Sequence, residues 1–113
     1  MRIFLICPVR KPKVGLFKKI FIRLKLVENP LVLYEQEQAK IRRYVEELES
    51  QGHQVHWPPR DTKQDDPIGL KICEQNRMEI YDAQEIHVWY SKNSQGSLFD
   101  FGMAYAFALL PIL

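Results

Sequence analysis

The sequence predicts an α/β fold: a small three-layer sandwich around a parallel, flavodoxin- or Rossmann-like open sheet of four or five strands. Three observations predict it. The first is the order of elements, which reads β-α-β-α-β-α-β. The second is the run Ile3-Phe4-Leu5-Ile6, continuously apolar as strands covered on both faces tend to be. The third is length, since 113 residues suffice for one core but not for two. The chain is read as a single domain over 1–113, with a basic insertion at about 11–30.

The first strand is expected over Arg2–Cys7 and is stopped by Pro8. Lys11–Pro30 carries two patterns at once. Ile20, Ile22, Leu24 and Leu26 alternate as a strand would, while Phe17, Ile20, Phe21 and Leu24 fit one face of a helix. Strand, basic amphipathic helix and flexible flap all remain open, and Pro30 ends the segment. Leu31–Gln51 is the clearest helix, with a stripe of Tyr34, Ala39, Ile41, Tyr44, Val45 and Leu48 and with Gly52 as its C-terminal cap. His53–Trp57 predicts a second strand, closed by Pro58-Pro59, and 60–66 a polar loop. Pro67–Asp82 predicts a helix with Ile68, Ile72, Asn76 and Ile80 near one another and Pro67 in its first turn. Glu85–Tyr90 predicts a third strand and Leu98–Leu109 a helix whose small residues allow close packing on the sheet. Pro111-Ile112-Leu113 reads as the start of a fourth strand.

Composition narrows the function classes. Hydrophobic residues make up 46% and charged residues 27%, as in ordinary globular proteins. No apolar run is long enough to cross a bilayer, and the N-terminus lacks the pattern of a cleaved signal. Cys7 and Cys73 stand far apart and fit two free thiols in a reducing cytoplasm, the expected location. Residues 1–30 hold eight Lys or Arg (Arg2, Arg10, Lys11, Lys13, Lys18, Lys19, Arg23, Lys25) against one acid, Glu28, while the rest of the chain is net acidic. Such a segment either folds back on the acidic body or meets an anion, so nucleic acid or an anionic surface is a partner through 11–25 that the reading keeps but does not favour.

Right-handed crossovers place the loops after Cys7, Trp57 and Tyr90 at the carboxyl ends of the strands, where ligands bind in open α/β sheets. Cys7, Arg10, Arg60, Asp61, Ser94, Gly96 and Ser97 are therefore candidate substrate-binding residues. Hydroxyls and backbone N–H groups at a helix start suit an anion or a sugar, and Gly96 would admit a ligand close to the backbone. The same residues also read as helix initiation: Ser97 is a good N-cap, and Asp100 at its N3 position completes a capping-box-like pair. His53, His56 and His87 form no pair at ligand spacing and read as structural, so neither metal nor cofactor is expected.

The run Gly96-Ser97-Leu98-Phe99-Asp100-Phe101-Gly102-Met103-Ala104-Tyr105-Ala106 resembles the nucleoside 2-deoxyribosyltransferase family, including its deoxynucleoside monophosphate N-glycosidase relatives. Ile80-Tyr81-Asp82-Ala83-Gln84, leading into Ile86 and Val88, is similar to that family's entry into its third strand. The resemblance covers most of the chain except Lys11–Pro30. It implies an enzyme of N-glycosidic bonds with Asp100, at the position of the family's glutamate, as the catalytic carboxylate attacking the anomeric carbon of a (deoxy)ribose. It also implies a site position for Asn76. Ser94 and Asn76 stand where relatives carry acids. The implied partners are a nucleoside or nucleotide and further copies of the chain, a homo-oligomer. Relatives usually continue beyond the position of Leu113, so the chain is read as a fragment or as a form completed by a partner subunit. Two other functions stand beside the enzyme: a non-catalytic nucleotide-binding or sensor module, and an interaction protein acting through its basic segment.

Overall fold

The computed structural model describes residues 1–90 and 94–109. Among these, three parallel strands form one sheet of order β2-β1-β3, with β1 at Arg2–Ile6, β2 at Gln54–His56 and β3 at Glu85–Val88. Five helices accompany them: α1 (Leu16–Arg23), α2 (Pro30–Ser50), α3 (Pro58–Asp61), α4 (Leu70–Asp82) and α5 (Gln95–Leu109). The fold is thus α/β with a small parallel sheet. The expected fourth strand at 111–113, and Ser91, Lys92 and Asn93 of the loop after β3, lie outside the described residues.

The chain divides into two compact units, residues 1–9 with 45–113 and residues 10–44. In the first, β1 is central because it is continuously apolar after Arg2; Ile3, Phe4, Leu5 and Ile6 are all buried. Its register sets the layers. Phe4 lies opposite His56 of β2 and Ile86 of β3, and Ile6 opposite Val88. Phe4, Ile6 and Ile80 form a core cluster packed by Ala83, Ile86, Met103, Ala104 and Phe107, so α4 and α5 cover this face. Ile3 and Leu5 point to the other face of the pleat and are as deeply buried.

Helix ends follow local chemistry. Gly52 ends α2 with φ 92°, its N–H bonding Glu49 O at 3.0 Å and the His53 N–H bonding Leu48 O at 3.3 Å. This is a Schellman arrangement, which a left-handed glycine permits without strain. Pro58-Pro59 does not merely stop β2: proline suits the first turn of a helix, and the pair begins α3. The start of α4 falls at Leu70 rather than Pro67, because Gly69 adopts φ 85° and breaks the helix there. Asp66 accepts the Lys71 N–H at 2.6 Å and the Ile72 N–H at 3.2 Å, satisfying first-turn donors from outside the helix. Ile68, expected on the buried stripe, precedes the helix and is exposed.

In the second unit, 11–30 contains α1, so the helical pattern prevails over the alternating one. Gly15 precedes it, and it closes on Lys25 at φ 58°, with the Lys25 N–H bonding Ile22 O and the Leu26 N–H bonding Phe21 O, each at 3.0 Å. Pro30 opens α2 rather than ending the preceding segment; Asn29 is the cap, its Oδ1 accepting the Leu31 N–H at 3.0 Å.

Candidate active site at the carboxyl edge

Asp100 does not cap its helix. The N-cap is Ser94, whose Oγ accepts the Ser97 N–H at 3.2 Å and lies 2.8 Å from Ser97 Oγ. Helix α5 therefore starts three residues before the expected Leu98, and Asp100 falls in its second turn. There its side chain turns inward, 7% exposed. Ser97, three residues earlier, is also buried and is committed to the Ser94 pair. Gly96 lies in the first turn of α5, with open space where a Cβ would be, so no steric demand for glycine exists there.

The buried carboxylate meets Asn76, which interrupts the apolar stripe of α4. Asn76 Nδ2 donates to the two Asp100 oxygens at 3.5 and 3.4 Å. Both bonds are long and hence weak. Burial therefore dominates, and the Asp100 carboxyl is pushed up to about 6 despite the opposing help from Asn76. Burial, with the nearby charges of Asp100 and Asp66, also raises the Cys73 thiol.

Asn76 is held from behind. Thr62 Oγ1 donates to Asn76 Oδ1 at 2.8 Å, and His56 Nε2 lies 2.8 Å from the same hydroxyl. Since the threonine proton goes to the amide oxygen, His56 must donate from Nε2, which fixes its neutral tautomer. Its ring stacks on Phe4, with centroids 5.3 Å apart and planes at 10°. Burial lowers the His56 pKa, against the attraction of Glu79 and Asp61, and Glu79 lies 3.6 Å from Nδ1. The result is a one-way series of donors from β2 through α4 to Asp100. Each bond polarises the next in such a series.

Of the other edge candidates, Arg60 and Asp61 adjoin His56 and pair with each other. Arg60 is committed to its own surroundings: Nε and Nη2 donate to Asp61, Nη1 and Nη2 to Glu49, and Nη2 also to Val55 O. These partners raise its pKa further, Asp61 first and Glu49 second. Asp61 also accepts the Trp57 N–H at 2.8 Å. Burial pulls its carboxyl up, but Arg60 and the Trp57 N–H outweigh this and hold it below the usual range. These two side chains thus fasten α3 to the end of β2. Cys7 is buried where β1 ends. Arg10 is exposed and belongs to the second unit.

Two cavities are described, of about 220 and 270 Å³, and Asp100 lines neither. The first runs along the open side of β2, where His56, Arg60, Asp61 and Glu79 meet. Among the described residues no group of His, Cys, Asp and Glu could hold a metal ion. No described helix is long and apolar enough to cross a membrane.

His56 and Thr62 were not singled out by sequence reasoning as site residues. The signal for Asn76 was visible, as a polar residue at an apolar helix position. That for His56 was not, because it depends on the register that sets it beside Phe4.

An α/β protein with a 2-1-3 parallel sheet and a buried carboxylate behind its carboxyl edge is the class that fold and site define. Comparison with known proteins finds no matching family model, no similar curated protein and no similar solved structure.

Proposed function

We propose that the protein acts on the N-glycosidic bond of a nucleoside or nucleotide, as a deoxyribosyltransferase or N-glycosidase, with Asp100 as the reacting carboxylate. The observation that carries this reading is the environment of Asp100. It lies inside the second turn of the helix after β3, with its pKa raised to about 6 and the amide of Asn76 as a weakly donating partner. A carboxyl so placed is ionised at neutral pH yet poorly solvated, the condition in which an oxyanion attacks an electrophilic carbon most readily. An Asp100 oxygen would bond to the anomeric carbon as the C1′–N bond breaks. The base leaves with the bonding pair and takes a proton from water or an acid. Water, or a second base, then displaces the carboxylate and restores it. The series from His56 to Asn76 would keep the carboxylate oriented throughout.

A second reading is a module that holds a nucleotide without cleaving it: Asp100 is only 7% exposed, which limits the approach of a substrate's anomeric carbon. Incubating the purified protein with a panel of 2′-deoxynucleosides, ribonucleosides and their 5′-monophosphates, and separating free base by chromatography, distinguishes the two. The enzyme reading predicts base release from at least one substrate, falling at least about a thousandfold in Asp100→Ala, the scale expected on losing a covalent nucleophile. Nucleotide-dependent thermal stabilisation with no released base would establish the binding module instead.

A further inference from the structure

The second unit carries a surface that the proposed activity does not use. At about 100° per residue, Leu16, Phe17, Ile20, Phe21 and Leu24 occupy a continuous arc of roughly 140° on α1. All five are exposed, Phe17 at 78% and Leu16 at 73%. Ile22, on the opposite side, is the apolar residue of this helix that is partly buried. The helix is therefore turned with its apolar arc outward, the reverse of what packing on a core would require.

The charges are arranged around that arc. Lys18 borders one side, Lys19 and Arg23 the other, Lys25 follows just past the helix end, and all four are exposed. No acid occurs between Arg10 and Val27. A helix with an apolar face between two basic borders lies in the headgroup plane of a membrane: its apolar residues enter the acyl boundary while the basic stems reach outward to phosphates. Nucleic acid would use the charges but leave five large apolar side chains in water.

We infer that α1 is an interfacial anchor that docks the protein onto a bilayer bearing anionic headgroups. The anchor rests on exposure and charge placement in residues 10–44 and is independent of any chemistry at Asp100. Each basic border residue contributes attraction to an anionic leaflet, and the aromatic pair Phe17 and Phe21 supplies the insertion.

Co-sedimentation of the full chain with vesicles of phosphatidylcholine alone, and of phosphatidylcholine mixed with phosphatidylglycerol, tests this. Far-UV circular dichroism confirms the fold of each variant, and the substituted residues are exposed. The wild type is expected to bind the mixed vesicles at least about tenfold more tightly than the neutral ones, and less tightly as salt rises. Phe17→Ser with Phe21→Ser, and separately Lys18→Ala with Lys19→Ala, should each weaken binding by about tenfold. Four results would overturn it: no binding to either vesicle; equal binding to both; full binding by the double Phe variant, which would reduce the segment to a charge patch of the kind nucleic acid uses; or a wild-type dimer without vesicles that the double Phe variant dissolves, which would assign the arc to a second copy.

Discussion

Asp100→Asn is expected to make the protein more stable, not less, above pH 6. The asparagine keeps the shape of the carboxyl and cannot ionise. In the wild type the Asp100 pKa is raised to about 6 in the folded state, against about 4 for an unfolded chain. Between those values the folded state binds more protons than the unfolded one, so stability falls as pH rises from about 4 to about 6. The displacement corresponds to about 3 kcal/mol, held against the wild type at all higher pH. His56 works in the opposite sense over an overlapping range: its pKa is lowered, so stability from that group rises with pH toward the ordinary histidine value. The wild-type curve alone therefore mixes the two. The difference between wild-type and Asp100→Asn urea midpoints, taken from pH 4 to 8, isolates the carboxyl. That difference should be small near pH 4 and grow to about 3 kcal/mol by pH 7. A variant equal to or weaker than the wild type at pH 8 would show that the carboxylate is well solvated.

Asn76→Asp should do the reverse. The new carboxylate replaces an amide donor 3.4 to 3.5 Å from Asp100, so two acids would share one buried site. Like charges at that distance cannot both ionise cheaply, and one pKa rises well beyond the other. Thr62 can still donate to the new side chain, which keeps the rear of the site intact. Stability is expected to fall by about 3 kcal/mol at pH 8, the scale of a buried uncompensated charge, and to recover mostly at pH 5, where the pair retains a proton. Urea denaturation at the two pH values checks this. An equal loss at both would indicate a packing defect rather than electrostatics.

The elements that sequence made visible are those decided by local chemistry. The apolar run of β1, the stripe of α2 and the glycine at its end each carry their own instruction, and the structure has them at Arg2–Ile6, Pro30–Ser50 and Gly52. Boundaries went astray where two local signals competed. Ser94 and Ser97 are both good caps, and it is the Ser94 hydroxyl that accepts a first-turn N–H, that of Ser97. Pro67 suits a first turn, but Gly69 two residues on takes a left-handed backbone. The segment 11–30 satisfied two periods, and no local rule chose between them. At the site, Asp100 and Asn76 were visible as polar residues on helix faces. Their depth and their link to Thr62 and His56 arise from strand register and from the packing of α4 against α5, which no sequence spacing encodes.

The central claim is that Asp100 is a buried carboxyl whose proton leaves near neutrality. Carbon-detected NMR on protein labelled at the aspartate carboxyls, assigned by its loss in Asp100→Asn, measures this directly. The account predicts a titration midpoint for Asp100 of about 6, well above the other aspartates, and a further rise in Asn76→Asp. A midpoint in the ordinary aspartate range near 4, unmoved by Asn76→Asp, would contradict it.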